Sequence, residues 1–392
     1  MMNWRWQQLN LNNEEIQEGL KNLPYILKNF DKYEDLNDTY YHLLADLLKF
    51  HRCWCYVVWS KRGPGKTYSA LWLAYYCKFP IIYMKRTDKD VHRILKEETT
   101  INLDASPYAP LKKDKNLRID GVEIDDGFGA FYELDDEGQP TGRLLCYVLS
   151  FNKVLTYKGN DFSDVELLVF DEFIPQIGER IKKAEGELLL DLYQTVSRDR
   201  LKRGRNPLKL ILFANAEQIS VPVTQELEII DAMADLDASG ATHMYLEDRD
   251  ILLHHITDEE VPVQECEKVG IWKGMAGTAW FDKSFGGKFV HNDFSNVIRK
   301  SLKRSYPLLE VQYKTHKYYI YHNEDKGTYY MTSTPAKAKF NYNLNRENEQ
   351  KKFYYDYIID LYDACINERF KFEKFSMYDL IMNYKKHFSI SY

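Results

Sequence analysis

The sequence predicts an α/β protein built around a mostly parallel β-sheet, followed by a smaller α+β domain. Apolar strand-like runs alternate with amphipathic helix-like runs as far as about residue 217, which is the order that a doubly wound sheet requires. Short aromatic strand-like runs then follow at close spacing, such as LLEVQYK, KYYIYH and TYYMTS. Close spacing of this kind is typical of antiparallel pairing.

The first elements are predicted from the spacing of apolar residues. Residues 13–50 predict two helices, because leucines and isoleucines recur there at helical intervals. The run CWCYVVW then predicts a buried strand, and it is followed by a glycine-containing loop, the helix-like TYSALWLAYYCK and a second strand, PIIYMKR. Short connections make these one strand–loop–helix–strand unit.

Three strand-like pieces between residues 116 and 157 predict an antiparallel insertion: RIDGVEI, GAFYEL and RLLCYVLSF. We interpret the acidic segments between them, 125–127 and 136–138, as hairpin turns and not as a metal site. Further on, VELLVFDEF and LKLILFANA predict buried strands, with the helix-like LLLDLYQTVSRDRLKR between them. The predicted domains are an N-terminal α/β domain at 1–217, a linker subdomain at 218–262 and a C-terminal domain at 263–392.

Composition excludes several classes of protein. The 392 residues are 44% hydrophobic and 29% charged, which is ordinary for a chain that buries a core. The net charge of -6 argues against a uniformly basic nucleic-acid binder. The start lacks a basic segment followed by an apolar run, which argues against a signal peptide. No apolar run approaches the roughly 20 residues that span a bilayer, which argues against a membrane protein. The six scattered cysteines are interpreted as reduced, buried thiols.

The stretch WSKRGPGKTYSA carries the strongest motif. Gly63, Gly65, Lys66 and Thr67 match the phosphate-binding pattern G-x-x-x-x-G-K-[ST], whereas Ser60 stands where the first glycine is expected. Backbone N–H groups within the segment 62–67, including that of Arg62, can bind phosphate oxygens. Lys66 is predicted to contact the β- and γ-phosphates, and Thr67 to place its hydroxyl on Mg²⁺. A negative φ at Ser60 would make the departure tolerable.

Two adjacent carboxylates end the strand LLVFDE and supply the second half of the site. Asp171 is predicted to hold Mg²⁺ opposite Thr67. Glu172 is placed to orient and deprotonate an attacking water. The sequence lacks an N/T-K-x-D segment that reads guanine, so ATP is the predicted nucleotide.

Two further polar residues have an alternative explanation each. Arg198, in a cluster of basic residues after a helix, could reach a neighbouring subunit's γ-phosphate, or it could simply be a solvated cation at a helix end. Asn215, at the tip of LILFAN, could sense the γ-phosphate or cap a strand.

The segments RGPGKTY, LLVFDEF, DLYQTVSRDR and LILFANA, in this order, resemble the phi29-type phage DNA-packaging ATPases, which belong to the ASCE class of P-loop motors. The resemblance covers residues 55–220 well and the C-terminal part more weakly. It implies an ATP-driven motor that forms a ring, usually a pentamer, on the portal of a prohead in the host cytoplasm. Such a motor pumps double-stranded DNA, and the resemblance leaves open whether a structural RNA takes part.

The resemblance also implies roles for single residues. Arg198 becomes a trans-acting arginine finger and Lys158 a second trans-acting cation; by itself Lys158 is only a basic residue in a loop. The resemblance further implies an RNase H-like C-terminal domain without nuclease activity, in which the carboxylates of Asp250, Asp282 and Asp293 show no two-metal spacing. Basic residues near the DNA are predicted in two segments: Lys85, Arg86 and Lys89, and then Arg299, Lys300, Lys303 and Arg304.

Two alternatives to the packaging motor remain open from the sequence. One is a terminase-like ATPase whose nuclease domain is active on DNA. The other is a structural or DNA-binding module that holds nucleotide without hydrolysing it, against which Glu172 beside Asp171 argues.

Overall fold

The computed structural model describes residues 11–28, 40–98, 103–176, 179, 181–262, 268–278, 281, 289, 292 and 294–388, and at residues 97, 98, 103 and 158 only the backbone. The chain forms two compact units. The first consists of Met1–Gln218 with Leu236–Val290, and the second of Ile219–Asp235 with His291–Tyr392.

The first unit contains eleven strands among the described residues. They are β1 Cys55–Ser60, β2 Ile81–Lys85, β3 Glu97–Glu98, β4 Leu103–Asp104, β5 Ile119–Asp125, β6 Phe128–Leu134, β7 Pro140–Ser150, β8 Leu167–Asp171, β9 Lys209–Asn215, β10 His243–Leu246 and β11 Ile251–Ile256. Its described helices are Asn13–Asn22, Pro24–Leu27, Leu43–Lys49, Lys66–Cys77, Asp88–Leu95, Ala109–Lys115, Glu185–Ser197 and Ile271–Met275, with 3-10 turns at Phe151–Gly159 and Leu201–Arg203.

Nine of these strands form one sheet in the order β10-β11-β1-β9-β8-β2-β7-β6-β5 within the described residues. The neighbours from β11 to β7 pair in parallel, and the strands at both edges pair antiparallel. This confirms the predicted mostly parallel α/β sheet. The central strands β1, β8 and β11 are buried along their whole length, and β9 along all but its last residue, as continuous apolar runs covered on both faces require.

The helix at Lys66–Cys77 packs onto β1 as the sequence pattern predicts. Tyr56 and Val58, alternate residues of β1, share a core cluster with Leu71 of that helix and with Leu43 and Leu47 of the helix before β1. The strand–loop–helix–strand unit is therefore held by a buried apolar face that it shares with the helix before β1.

Two segments that the sequence predicts to be separate from the main sheet are part of it. The antiparallel strands at 119–150 extend the sheet through β7, which pairs with β2 in the register Ile81↔Cys146. Within the predicted linker subdomain at 218–262, β11 pairs in parallel with β1 in the register Cys55↔Ile251. The ILLHHI strand is buried along its whole length, so it lies next to β1 instead of forming a separate subdomain, and the division into 1–217, 218–262 and 263–392 does not match the two compact units.

The second unit has a five-stranded sheet in its described part, in the order β15-β12-β13-β14-β16. Its strands are β12 Tyr306–Tyr313, β13 His316–Asn323, β14 Thr328–Thr332, β15 Phe340–Asn343 and β16 Phe370–Phe372. Its helices are Pro222–Glu226, Glu347–Phe353, Ile359–Ile366, Phe375–Met382 and Tyr384–His387, with a π-helical turn at Tyr354–Ile358, and Ile230–Ser239 begins in this unit. The RNase H-like assignment of this unit stays a prediction.

None of the helices in the described part of the chain has the length and apolar composition that crossing a bilayer requires.

Candidate nucleotide-binding site

The predicted phosphate-binding loop connects β1 to the helix Lys66–Cys77. Gly63 and Gly65 both have a φ of +93°, a left-handed backbone that favours glycine. A Cβ at Gly65 would also lie 3.3 Å from the side chain of Tyr40, so a larger residue at this position would push against that side chain. The loop ends at the N-terminus of a helix of 12 residues, where unpaired backbone N–H groups and the helix dipole favour an anion.

Lys66 is the first residue of that helix, and its side chain is buried. Its Nζ donates to Ser60 Oγ and, at 3.5 Å, to Asn215 Oδ1. Burial lowers the pKa of Lys66 to about 8, although the nearby carboxylates of Asp171 and Glu172 oppose that shift. An anionic ligand would favour the charged ammonium, so the buried lysine suits a phosphate.

Ser60, the departure from the motif, contributes directly to the site. It is the last residue of β1, it is fully buried, and it is absent from the described residues with positive φ. Ser60 therefore meets the condition under which the loss of the first glycine is tolerable. Its hydroxyl accepts the hydrogen bond from Lys66 and donates to the carbonyl oxygen of Lys61 at 2.5 Å, a contact that glycine could not make. The motif comparison treats Ser60 only as a missing glycine and so misses this role.

The two carboxylates of the site, those of Asp171 and Glu172, lie at the carboxyl end of β8. Asp171 ends β8, and its Oδ2 accepts from the Tyr83 hydroxyl at 2.6 Å and from Lys85 Nζ at 2.9 Å. Burial alone raises the pKa of Asp171, but Lys85 and Tyr83 outweigh it and the net pKa is lowered. Glu172 has a φ of +58°, a costly conformation outside glycine, which turns the chain sharply as it leaves the strand. The two carboxylates therefore lie side by side at the carboxyl end of the sheet.

Lys85 lies inside this site and not in a separate DNA-facing segment. It ends β2, its side chain is 17% exposed, and its Nζ also lies 3.4 Å from Glu172 Oε2. A single ammonium therefore pairs with both carboxylates. This placement differs from the DNA contact predicted for Lys85, because a cation held by two carboxylates is neutralised.

Arg86 is likewise unsuited to the DNA contact predicted for it. Its side chain is 7% exposed, its Nη1 donates to both carboxylate oxygens of Glu185 at 2.7 Å, and its Nη2 donates to the Phe173 carbonyl oxygen at 2.6 Å. The prediction for Arg86 is therefore corrected: the guanidinium is buried and ties the segment after Glu172 to the helix Glu185–Ser197.

A cleft of about 340 Å³ lies where these elements meet, at the carboxyl ends of β1, β8 and β9. Parallel α/β sheets commonly bind ligands at that edge. Thr67 and Asp171 both line the cleft and offer a hydroxyl and an ionised carboxylate, hard oxygen donors that fit Mg²⁺. The residues predicted to bind nucleotide come together here, and the described lining consists of Arg62–Tyr68, Asp171, Glu172, Ala214 and Asn215.

Arg198 is not among the described residues that line this cleft. The helix Glu185–Ser197 ends immediately before it, and its side chain is exposed. Arg200, two residues later, is 1% exposed and its Nη2 donates to Glu166 at 2.7 Å. The structure thus separates two arginines of one sequence cluster into an exposed cation and a buried structural one.

Two solved structures are similar to this chain over most of its length. One is the bacteriophage Phi-29 viral genome packaging motor assembly, with a TM-score of 0.59 and 16% identity, covering 89% of this chain and 99% of that chain. The other is the Phi-28 gp11 DNA packaging motor, with a TM-score of 0.53 and 16% identity, covering 87% and 96%. The chain has the fold of the phage DNA-packaging ATPases. No protein-family model matches the sequence, and no curated protein sequence matches it either.

Within this packaging-ATPase fold, the remaining predicted DNA-contact residues are all exposed. Lys89 lies on the helix Asp88–Leu95, and the others lie on an irregular segment before β12 and not on a helix face: Arg299, Lys300, Lys303 and Arg304. Partial burial lowers the pKa of Lys300, and the charges of Lys371 and Lys326 lower it further. Positive charge is therefore concentrated on this surface of the second unit, and part of it comes from Lys326 and Lys371, outside the segment 299–304.

Three residues of the sequence predictions are incompletely described in the packaging-ATPase fold. The side chain of Lys158 and all of Asp282 and Asp293 lie outside the described residues. Asp250 accepts a hydrogen bond from the Tyr245 hydroxyl at 2.6 Å in the first unit. The trans-acting role of Lys158 stays a prediction.

Proposed function

We propose that the chain is an ATP-hydrolysing motor that translocates double-stranded viral DNA into a prohead. The observation that carries this proposal is the cleft, which gathers a phosphate-binding loop, a buried Lys66 and the Asp171–Glu172 pair at the carboxyl edge of the sheet. The likeness of the fold to phage packaging motors supports the substrate class.

The residues of the cleft divide the work of hydrolysis. The loop amides and Lys66 bind and orient the phosphates, and Thr67 with Asp171 would hold Mg²⁺, which neutralises phosphate charge when bound. Glu172 is half-buried beside Asp171 and takes the proton of the attacking water as general base. Asn215, within reach of Lys66 Nζ at 3.5 Å, links the phosphate site to the end of β9.

The remaining parts of the proposal concern assembly. Subunits form a ring, with a pentamer as the expected size, and the exposed Arg198 of one subunit completes the site of its neighbour. Stabilisation of transition-state charge by such an arginine is worth about 10³ to 10⁵ in rate. The ring works at the portal vertex of the prohead in the host cytoplasm, and Lys89 with the basic segment 299–304 contacts DNA phosphates.

The test is ATP turnover per subunit, measured against protein concentration with and without double-stranded DNA. Glu172→Gln serves as the blank and Arg198→Ala as the test. Lys202→Ala is the matched control, because Lys202 lies in the same basic cluster and its side chain is 84% exposed. A steep rise with concentration that DNA stimulates, that both test variants lose and that Lys202→Ala keeps supports the motor. Turnover per subunit that is independent of concentration, DNA and Arg198 contradicts it.

A further inference from the structure

An exposed tyrosine stands beside the phosphate-binding loop and is outside the sequence motif. Tyr40 is 49% exposed, and its Cβ and ring lie within 3.3–3.5 Å of the position that a Cβ on Gly65 would take. Its ring is near-parallel to that of Tyr68, with centroids 6.5 Å apart and planes inclined by 24°. Tyr68 is the only aromatic residue in the described lining of the cleft. Two aromatic rings thus flank the start of the phosphate-binding helix.

Tyr40 is held in this place through its neighbour in the chain. Tyr41 is buried, and its backbone N–H donates to the Pro64 carbonyl oxygen at 2.8 Å. The Tyr41 hydroxyl donates to Asp46 Oδ2 at 2.8 Å. Tyr41, next to Tyr40, is therefore bound by its backbone to the phosphate loop and by its side chain to a buried carboxylate.

That carboxylate belongs to a buried ionic cluster that fixes the anchor. Both ring nitrogens of His254 face acceptors, Asp46 Oδ2 at 2.8 Å and Glu260 Oε2 at 3.0 Å, so both nitrogens carry protons and the ring is cationic. Burial lowers the pKa of His254, but the two carboxylates outweigh it and raise the pKa to about 9. The His243 ring stacks on His254 with centroids 3.8 Å apart.

The same cluster is a poor metal site, although Asp46, His243 and His254 bring ligand atoms within 4.8 Å of one another. Lone pairs of imidazole lie in the ring plane, and two stacked rings direct them side by side instead of toward one centre. Hydrogen bonds to two carboxylates already use both nitrogens of His254. The cluster therefore acts as an ionic anchor for Tyr41 and the residue before it.

We propose that Tyr40, together with Tyr68, binds the nucleobase of the nucleotide whose phosphates the loop binds. The inference rests on the proposed ATPase function and adds the site for the base. A nucleobase presents a flat π-face that stacks on an aromatic ring whichever base it is. Tyr68 lines the cleft, and Tyr40 lies beside it against Gly65. The other described lining residues are those of the loop, two carboxylates, Ala214 and Asn215, so they serve the phosphate end.

The experiment compares a ligand with a base and a ligand without one. The affinities of ATP and of inorganic tripolyphosphate, each with Mg²⁺, are measured by calorimetric titration of the full chain. We expect Tyr40→Ala to bind ATP about 5- to 150-fold more weakly, which corresponds to the loss of one stacked base, and to bind tripolyphosphate as the wild type does. Tyr40→Phe restores ATP affinity because it keeps the ring. The control is Tyr355→Ala, an equally simple removal of a tyrosine that is 60% exposed.

Two results overturn the nucleobase site. Equal weakening of both ligands by Tyr40→Ala means that the tyrosine only shapes the loop, and wild-type affinity for ATP in that variant means that the ring does not touch the base. In both cases Lys66→Ala still abolishes nucleotide binding and the proposed ATPase survives. If the wild-type chain itself shows no Lys66-dependent ATP binding, both the site and the ATPase proposal fail.

Discussion

The two units of the molecule use basic residues in opposite ways. In the first unit, Lys85 and Arg86 at the end of β2 are enclosed and paired with carboxylates at 2.7–3.4 Å. In the second unit, the residues from Arg299 to Arg304 that carry positive charge are exposed on an irregular segment. Both segments are basic in the sequence, and the sequence predicts contact with DNA for both. The difference teaches that a basic residue adds to a positive surface only when it is exposed and is not paired with a carboxylate.

Arg86 offers the largest expected effect. Arg86→Met leaves Glu185, which is 3% exposed, as a buried charge without its bidentate partner. Breaking a buried ion pair in this way costs about 3 to 5 kcal/mol, and urea unfolding of the variant measures it. Lys89→Met, a nearby change at an exposed cation, is the control and is expected to stay within about 0.5 kcal/mol of the wild type. Equal stability of the two variants would contradict a stabilising buried ion pair between Arg86 and Glu185.

The His254 cluster predicts how stability depends on pH. The folded pKa of His254, about 9, lies above its ordinary value of about 6.5. The stabilisation is therefore complete below about pH 6.5 and is lost as pH rises through about 9, by on the order of 3 kcal/mol. Denaturant unfolding between pH 6 and 9.5 checks this.

The control for that pH series is His254→Gln, which removes the charge that titrates. Lys66 and Lys209 have pKa values lowered to about 8 mainly by burial, and such groups gain stability as pH rises above about 8, the opposite direction. The difference between wild type and His254→Gln isolates the histidine. Parallel pH profiles for the two proteins would contradict a buried imidazolium.

Lys85 sharpens the comparison at the carboxylates of the site, because it pairs with Asp171 and Glu172. Lys85→Met removes the ammonium that positions Asp171 and Glu172, so ATP turnover is expected to fall by about 10- to 100-fold, the scale of a catalytic group displaced by about 1 Å. DNA affinity, measured by fluorescence anisotropy on a labelled duplex, is expected to stay unchanged. The reverse result, normal turnover with weakened DNA binding, would restore the DNA contact that the sequence predicts.

The basic segment of the second unit gives the smallest effect on the fold. Replacing Arg299, Lys300, Lys303 and Arg304 by alanine is expected to leave the unfolding midpoint unchanged. DNA binding weakens, and the slope of log affinity against log salt becomes shallower by about 0.9 for each DNA phosphate that the variant no longer neutralises. Lys351→Ala with Lys352→Ala, in the same unit, is the control. An unchanged salt slope in the fourfold variant would show that this surface does not meet DNA.

The sequence by itself determined the phosphate-binding unit of this protein. The glycines at 63 and 65, the lysine after them and the carboxylates after an apolar strand follow from local backbone chemistry, since each depends on residues within one loop or strand. The parallel α/β sheet followed from strand and helix periodicity, which is also local. The antiparallel strands and aromatic strands were found for the same reason.

Only the tertiary structure decided which partners those residues meet. One neighbour of β1 is β11, nearly two hundred residues later, paired at Cys55↔Ile251, and no local pattern records such a pairing. The burial of Arg86 and Arg200, the exposure of Arg198 and the approach of Tyr40 to Gly65 all depend on segments distant in the chain. The physical reason is that burial and ion pairing are set by the packing of whole elements, whereas a motif specifies only the conformation of its own few residues.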